Sequence, residues 1–316
     1  MKSVEGPGGA TRGDIQARLM LVVLCVFWGV TWPLMKVALN GIPPFSMRTC
    51  ATGIGALTLL TVCFVMRRSL RVPNARAWGH LVVCSLLNIV AFSLLTAFAQ
   101  LAAATGRVAI VAYTMPIWAV LMAWAVLGER PTRMQGAAVV LCAVGLGVLI
   151  EPLATNGIPL GLVLALGTGL SWAAGTVYLK WARIDADPMS VATWQIIIAF
   201  FIIAACMLVF EGGLHLEAAN GAALFGVAFT GFFGNGLAYA LWFAIVPRLS
   251  AATASIGVLG SPVIGLIASI FILGERPTLT DVVGFALILA ACVCVLVARQ
   301  TPPLPSVASE GGAVTP

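Results

Sequence analysis

The chain has 316 residues, 61% hydrophobic and 9% charged, a formal net charge of +6 and a mean hydropathy of +1.06. A soluble domain carries about a quarter charged residues, so this composition excludes one. The apolar runs are continuous rather than alternating, which also excludes an outer-membrane barrel, and the chain is expected to be an all-α integral membrane protein built of apolar helices of about 20 residues.

In chain order, the first 17 residues are polar and Gly-rich and are expected to form a cytoplasmic tail. No small-residue cleavage site separates them from the first apolar span, 18–38, which therefore reads as an anchor and not as a removed signal peptide. That span carries Trp28 near its middle and closes with Lys36. The second, 44–66, opens with Pro44 and contains Arg48, and a basic cluster from Arg67 to Arg76 follows it. The third, 79–98, contains Asn88 and Phe92. The fourth, 108–127, contains Tyr113 and Pro116 and closes on Gly128, Glu129 and Arg130; the short fifth covers 134–150. The next five spans are 159–181 with Trp172 and Lys180, 190–210, 221–245 with Asn235 and Tyr239, 251–273 with Pro262, and the short 281–298. The ninth closes on Gly274, Glu275 and Arg276, and residues 299–316 are expected to be a disordered cytoplasmic tail.

One hexapeptide occurs twice. Leu-Gly-Glu-Arg-Pro-Thr stands at 127–132 and again at 273–278, a shift of 146 residues (273 − 127). A repeat of this kind marks the duplication of one unit. Pro116 matches Pro262, Asn88 matches Asn235, Phe92 matches Tyr239, Trp28 matches Trp172 and Lys36 matches Lys180 at nearly the same shift. The expected units are 18–150 and 159–298, with five spans each. An odd number of spans reverses the side from which the second unit enters the membrane. The expected fold is therefore ten transmembrane helices arranged as two inverted five-helix repeats, an architecture in which secondary transporters bind substrate near the midplane. The two five-span bundles are expected to rock about that site.

Basic residues set the orientation. With the N-terminus in the cytoplasm, most of the 17 Lys and Arg, including Arg67, Arg68, Arg71 and Arg76, fall on inward loops and ends. Both termini are then cytoplasmic, in a bacterial-type inner membrane, and the sequence pI of about 9.1 calls for no nucleic-acid partner. The eight cysteines all lie in apolar spans as small hydrophobes, with neither a disulfide framework nor zinc spacing. The chain has no P-loop, no His-Glu-x-x-His and no intramembrane pair of acids, so neither a cofactor, a metal nor an enzymatic activity is expected.

Two five-span halves, Trp28-Gly29 near the start, a proline inside spans four and nine, and Gly-Glu-Arg closing both spans resemble the EamA-type family of the drug/metabolite transporter superfamily. The resemblance covers roughly residues 18–298. It implies a transporter, often an exporter, of amino acids or other small metabolites. It also implies a central cavity lined mainly by spans one, three, four, six, eight and nine. The second half departs from the pattern at Ala173, which stands where the first has Gly29.

An amide side chain in hydrocarbon must face protein or a wet cavity, so Asn88 and Asn235 are expected either to meet a polar substrate or to join helices. Phe92 and Tyr239 lie one turn further along and would give the cavity an aromatic wall, as would Tyr113, Trp28 and Trp172. Pro116 and Pro262 are expected to bend their helices and free a carbonyl. Glu129 and Glu275 are expected at helix ends as structural residues that pair with nearby Arg130 or Arg276 or with another loop, or as gate residues. Lys36, Lys180 and Arg48 are expected at cavity mouths, where they either reach headgroups or steer an anion.

No acidic residue or histidine lies at mid-membrane by this reading, which argues against a deep carboxylate proton relay and against a strongly cationic substrate. A neutral, zwitterionic or weakly anionic metabolite suits the aromatic and amide residues. The expected function is secondary transport of a small polar metabolite by alternating access, with the lipid bilayer as the surrounding partner; the sequence is also compatible with a homodimer. The alternative is a non-transporting membrane scaffold or sensor subunit with a dry interior.

Overall fold

A computed structural model describes residues 12–150, 159–245, 248 and 258–297. The expected tails (apart from residues 12–17), the 151–158 connection and the start of the ninth span lie outside the described residues. The fold is all-helical among the described residues, which contain no strand. In chain order the helices are α1 (Arg12–Leu39), α2 (Pro44–Val65), α3 (Ala75–Ala102), α4 (Thr105–Leu127), α5 (Arg133–Ile150), α6 (Leu160–Ala182), α7 (Pro188–Phe210), α8 (Gly221–Ile245), α9 (Gly260–Leu273) and α10 (Leu279–Val297). All but the shorter α9 are long and apolar enough to cross a membrane, which makes nine among the described residues.

Local chemistry sets the helix ends. Asn74 accepts from the Ala77 amide at 2.9 Å, Asp187 from Met189 at 2.8 Å and Asn220 from Ala223 at 2.8 Å, so three helices begin on side-chain caps. The Asn74 cap starts α3 four residues before the expected boundary.

The duplicated hexapeptide works as stop-and-start punctuation. Gly128 and Gly274 end α4 and α9 in the left-handed region, at φ 71° and 69°. The Thr that closes each copy then opens the next helix. Thr132 and Gln135 exchange backbone-to-side-chain hydrogen bonds of 2.8 and 3.2 Å, and Thr278 and Asp281 exchange the equivalent bonds at 2.8 and 3.3 Å. Both are reciprocal capping boxes.

Three helices are irregular along their length. α3 passes through a π-helical segment at Leu86–Ala91, and α8 through another at Thr230–Leu237. α4 breaks at Tyr113 and Thr114, and Pro116 sits in the first turn of the continuing helix. Pro262 sits in the first turn of α9. Pro116 therefore begins the segment that continues α4 after its break, where a ring nitrogen that cannot donate is tolerated in a first turn.

The two halves interlock. α1 packs on α8 and α9, α6 on α3 and α4, α2 on α7 and α8, and α5 on α10. The halves therefore do not pack as two separate sequential five-helix bundles. The packed groups are α3, α4 and α6 on one side and α1, α8 and α9 on the other, each drawn from both halves.

Close approach depends on small residues. A Cβ on Gly231 of α8 would lie 2.7 Å from Ile54 Cβ and 2.8 Å from Ala51 O of α2. A Cβ on Gly29 of α1 would lie 2.8 Å from Ser261 O of α9, which is why the Gly29 position is not interchangeable with its buried counterpart Ala173.

Candidate functional site

The two π-helical segments each hold one of the paired asparagines, and the neighbouring contacts are equivalent in the two halves. Trp28 Nε1 of α1 donates to the carbonyl of Gly234, the residue before Asn235, at 3.2 Å. Ser171 Oγ of α6 donates to the carbonyl of Leu87, the residue before Asn88. The Trp28 ring packs on Tyr239 with centroids 6.0 Å apart, and Trp172 packs on Phe92 at 5.0 Å. Thus the first helix of each half closes on the third helix of the other, and it uses the aromatic residues that the sequence singles out. A π turn shifts the backbone register and leaves carbonyls available to side chains, a geometry frequent at functional sites.

The asparagine amides are spent mainly within the protein. Asn88 Nδ2 donates to Gln195 Oε1 of α7 at 3.3 Å, while its buried Oδ1 has no hydrogen-bond partner. Asn235 Nδ2 donates to Ala51 O of α2 at 3.3 Å. No hydrogen bond joins the two amides. Tyr113, buried at the break in α4, packs on Trp32 with centroids 6.0 Å apart.

The predicted charged residues are distributed over two ends of the bundle. Glu275 lies against the start of α4, where its carboxylate accepts from the amides of Thr105 and Gly106 at 2.6 and 2.9 Å. A carboxylate on exposed helix amides is a favourable charge–dipole arrangement. Beside it, Arg107 Nε and Nη2 grip Asp281 at 2.6 and 3.1 Å, and Lys36 Nζ donates to Gln100 O at 2.6 Å. Glu211 caps α2 at the same end, through the amides of Phe45 and Ser46 at 2.8 and 2.7 Å.

Glu129 lies beyond the far end of α4, about 35 Å along the helix. It pairs with Lys180 at 2.6 Å, and the two side chains are 44% and 54% exposed. Arg68 and Asp187 pair at the same end at 3.2 Å. Neither motif glutamate pairs with an arginine of its own loop.

Arg48, one turn into α2, is buried. It is 4% exposed, its Nε and Nη2 have no hydrogen-bond partner, and among the described residues it forms no ion pair. Sequence reasoning missed Gln195, Glu211 and the Arg107–Asp281 pair. A lone amide in the apolar run 188–210 was a legible signal for Gln195, whereas nothing in the sequence ties Arg107 to a carboxylate on the last helix. Among the described residues, no cluster of His, Cys, Asp or Glu suits a metal ion.

Nine apolar helices of membrane-crossing length among the described residues define a multi-pass membrane protein. The EamA-like transporter family matches residues 16–150 and 159–297, and the chain belongs to that family. It is 28% identical over 284 residues to the uncharacterized transporter YvbV of Bacillus subtilis strain 168, covering 88% of this chain and 90% of that one. It is 25% identical to a probable amino-acid metabolite efflux pump of Salmonella typhimurium strain LT2, covering 86% and 91%. A solved crystal structure shares the fold with a TM-score of 0.63 at 21% identity, covering 89% of this chain and 96% of that one.

Proposed function

We propose that the chain is a secondary carrier in a bacterial-type inner membrane that moves a small polar metabolite, of the amino-acid class, by alternating access. Ten membrane crossings in two inverted repeats are part of this reading. The two ranges matched by the family, and hexapeptide copies that lie at opposite ends of α4, support it. The efflux-pump names of relatives favour export.

The observation that carries the proposal is the unequal treatment of equivalent residues. Glu275 is docked on the start of the facing α4, while its counterpart Glu129 is half-exposed on Lys180. Inverted repeats related by exchange would hold one end shut and the other released, then swap the two arrangements. We read this conformation as shut at the Glu275 end. The bodies that move are α3–α4–α6 against α1–α8–α9, and substrate sits between them near Trp28, Tyr239, Phe92, Trp172, Tyr113, Asn88 and Asn235.

The test is flux of a radiolabelled metabolite panel into liposomes holding the purified protein, with and without a pH gradient. The double variant Asn88→Leu/Asn235→Leu is expected to insert normally and lose most flux. Flux equal to the parent would remove the asparagines from the site, and no flux for any compound would count against transport.

A further inference from the structure

We infer that the buried guanidinium of Arg48 binds a carboxylate of the transported molecule, which makes the substrate an organic acid or a zwitterion such as an amino acid. The inference rests on the transporter reading above and deepens it by naming the charged group that the site takes.

The face of α2 on which Arg48 stands places it in the interior. Arg48, Thr52, Gly55 and Leu59 follow one another at helical spacing and share that face. A Cβ on Gly55 would lie 2.6 Å from Asn235 Cβ, so the face lies against the π-helical segment of α8. Leu59 packs in one cluster with Ile89 and Val90 from the π-helical segment of α3. Arg48 therefore stands on the face of α2 that meets both matched segments, about 10 Å from the level of Gly55.

The charge of Arg48 has no internal partner. Every described carboxylate at its end of the bundle lies elsewhere: Glu211 on Phe45 and Ser46, Glu275 on Thr105 and Gly106, Asp281 on Arg107 and Thr278, and the exposed Glu217 beside His215. A buried ion without a counter-charge is strongly unfavourable. Nε and Nη2, both buried and without a hydrogen-bond partner, form the edge of the guanidinium from which a carboxylate accepts in bidentate fashion, an edge covered in this conformation and reached by ligand when the site opens. A ligand carboxylate supplies the missing charge. The rest of the molecule would extend toward Asn235 and Tyr239.

The experiment uses the purified full-length protein and matched pairs of amino acids or simple carboxylic acids with their carboxamides. Two quantities are read: the shift in thermal unfolding midpoint in detergent, and flux in liposomes of zwitterionic lipid. Carboxylates are expected to raise the midpoint where their carboxamides do not. Arg48→Met is expected to weaken carboxylate binding by at least about tenfold, and Arg48→Lys, which keeps the charge and loses the fork, by less. If Arg48→Met does not fold, the wild-type pairs and Arg48→Lys carry the test. Absence of carboxylate binding, or equal binding of acid and amide, overturns the inference. Flux indifferent to Arg48→Met overturns it and leaves the transporter reading intact, whereas carboxylate binding without flux of any compound supports the Arg48 site and counts against transport.

Discussion

Arg107 and Asp281 are 174 positions apart in the chain and 2.6 Å apart in space. The pair joins α4 to α10, and Asp281 also anchors the capping box at the start of α10. Asp281→Ala removes both roles and leaves a partly buried guanidinium alone, so it is expected to cost about 2–4 kcal/mol, read from denaturant unfolding in detergent. Asp281→Asn, which keeps a capping oxygen, is expected to cost less. At this scale the sequence reveals which residues are chemically unusual but not what they touch. Asn88 is conspicuous as an amide in an apolar run, yet its bond to Gln195 depends on how α3 meets α7. Arg48 looks like a residue near a helix end, and only packing shows it to be enclosed.

Helices themselves are largely legible. The eighth span, 221–245, coincides with α8, and Gly-Glu-Arg-Pro-Thr predicts the ends of α4 and α9 because a left-handed glycine and a capping threonine are local devices. The π-helical segments are not legible, since no local pattern marks them; they lie where Trp28 of α1 and Ser171 of α6 bond to carbonyls of α8 and α3. Helix contacts set by small residues give a sharp test at this scale. Gly231→Val places its side chain against Ile54 Cβ and Ala51 O and is expected to destabilise by about 1–3 kcal/mol through overpacking. Gly79→Ala, where nothing lies within 4 Å, is expected to be neutral or stabilising by up to about 1 kcal/mol. Equal melting behaviour of the two variants would show that α2 and α8 do not meet at Gly231.

For the whole molecule, the duplicated hexapeptide points to two units, and the apolar composition points to a membrane. Neither reveals that the units interlock. Pairings such as α1 with α9 and α6 with α4 join residues far apart in the chain, so no local pattern encodes them. In the proposed mechanism, interlocking gives each moving body helices of both halves, and the exchange of their arrangements would carry the site from one face to the other. This picture requires equivalent loops to lie on opposite sides of the membrane. Arg130 and Arg276 are equivalent and exposed residues of the two hexapeptides. The most direct measurement is labelling of single-cysteine variants Arg130→Cys and Arg276→Cys, in a background without the eight native cysteines, by a membrane-impermeant maleimide. The account predicts that Arg276→Cys reacts in intact spheroplasts and Arg130→Cys only in inverted vesicles; reaction of both variants from the same side would contradict it.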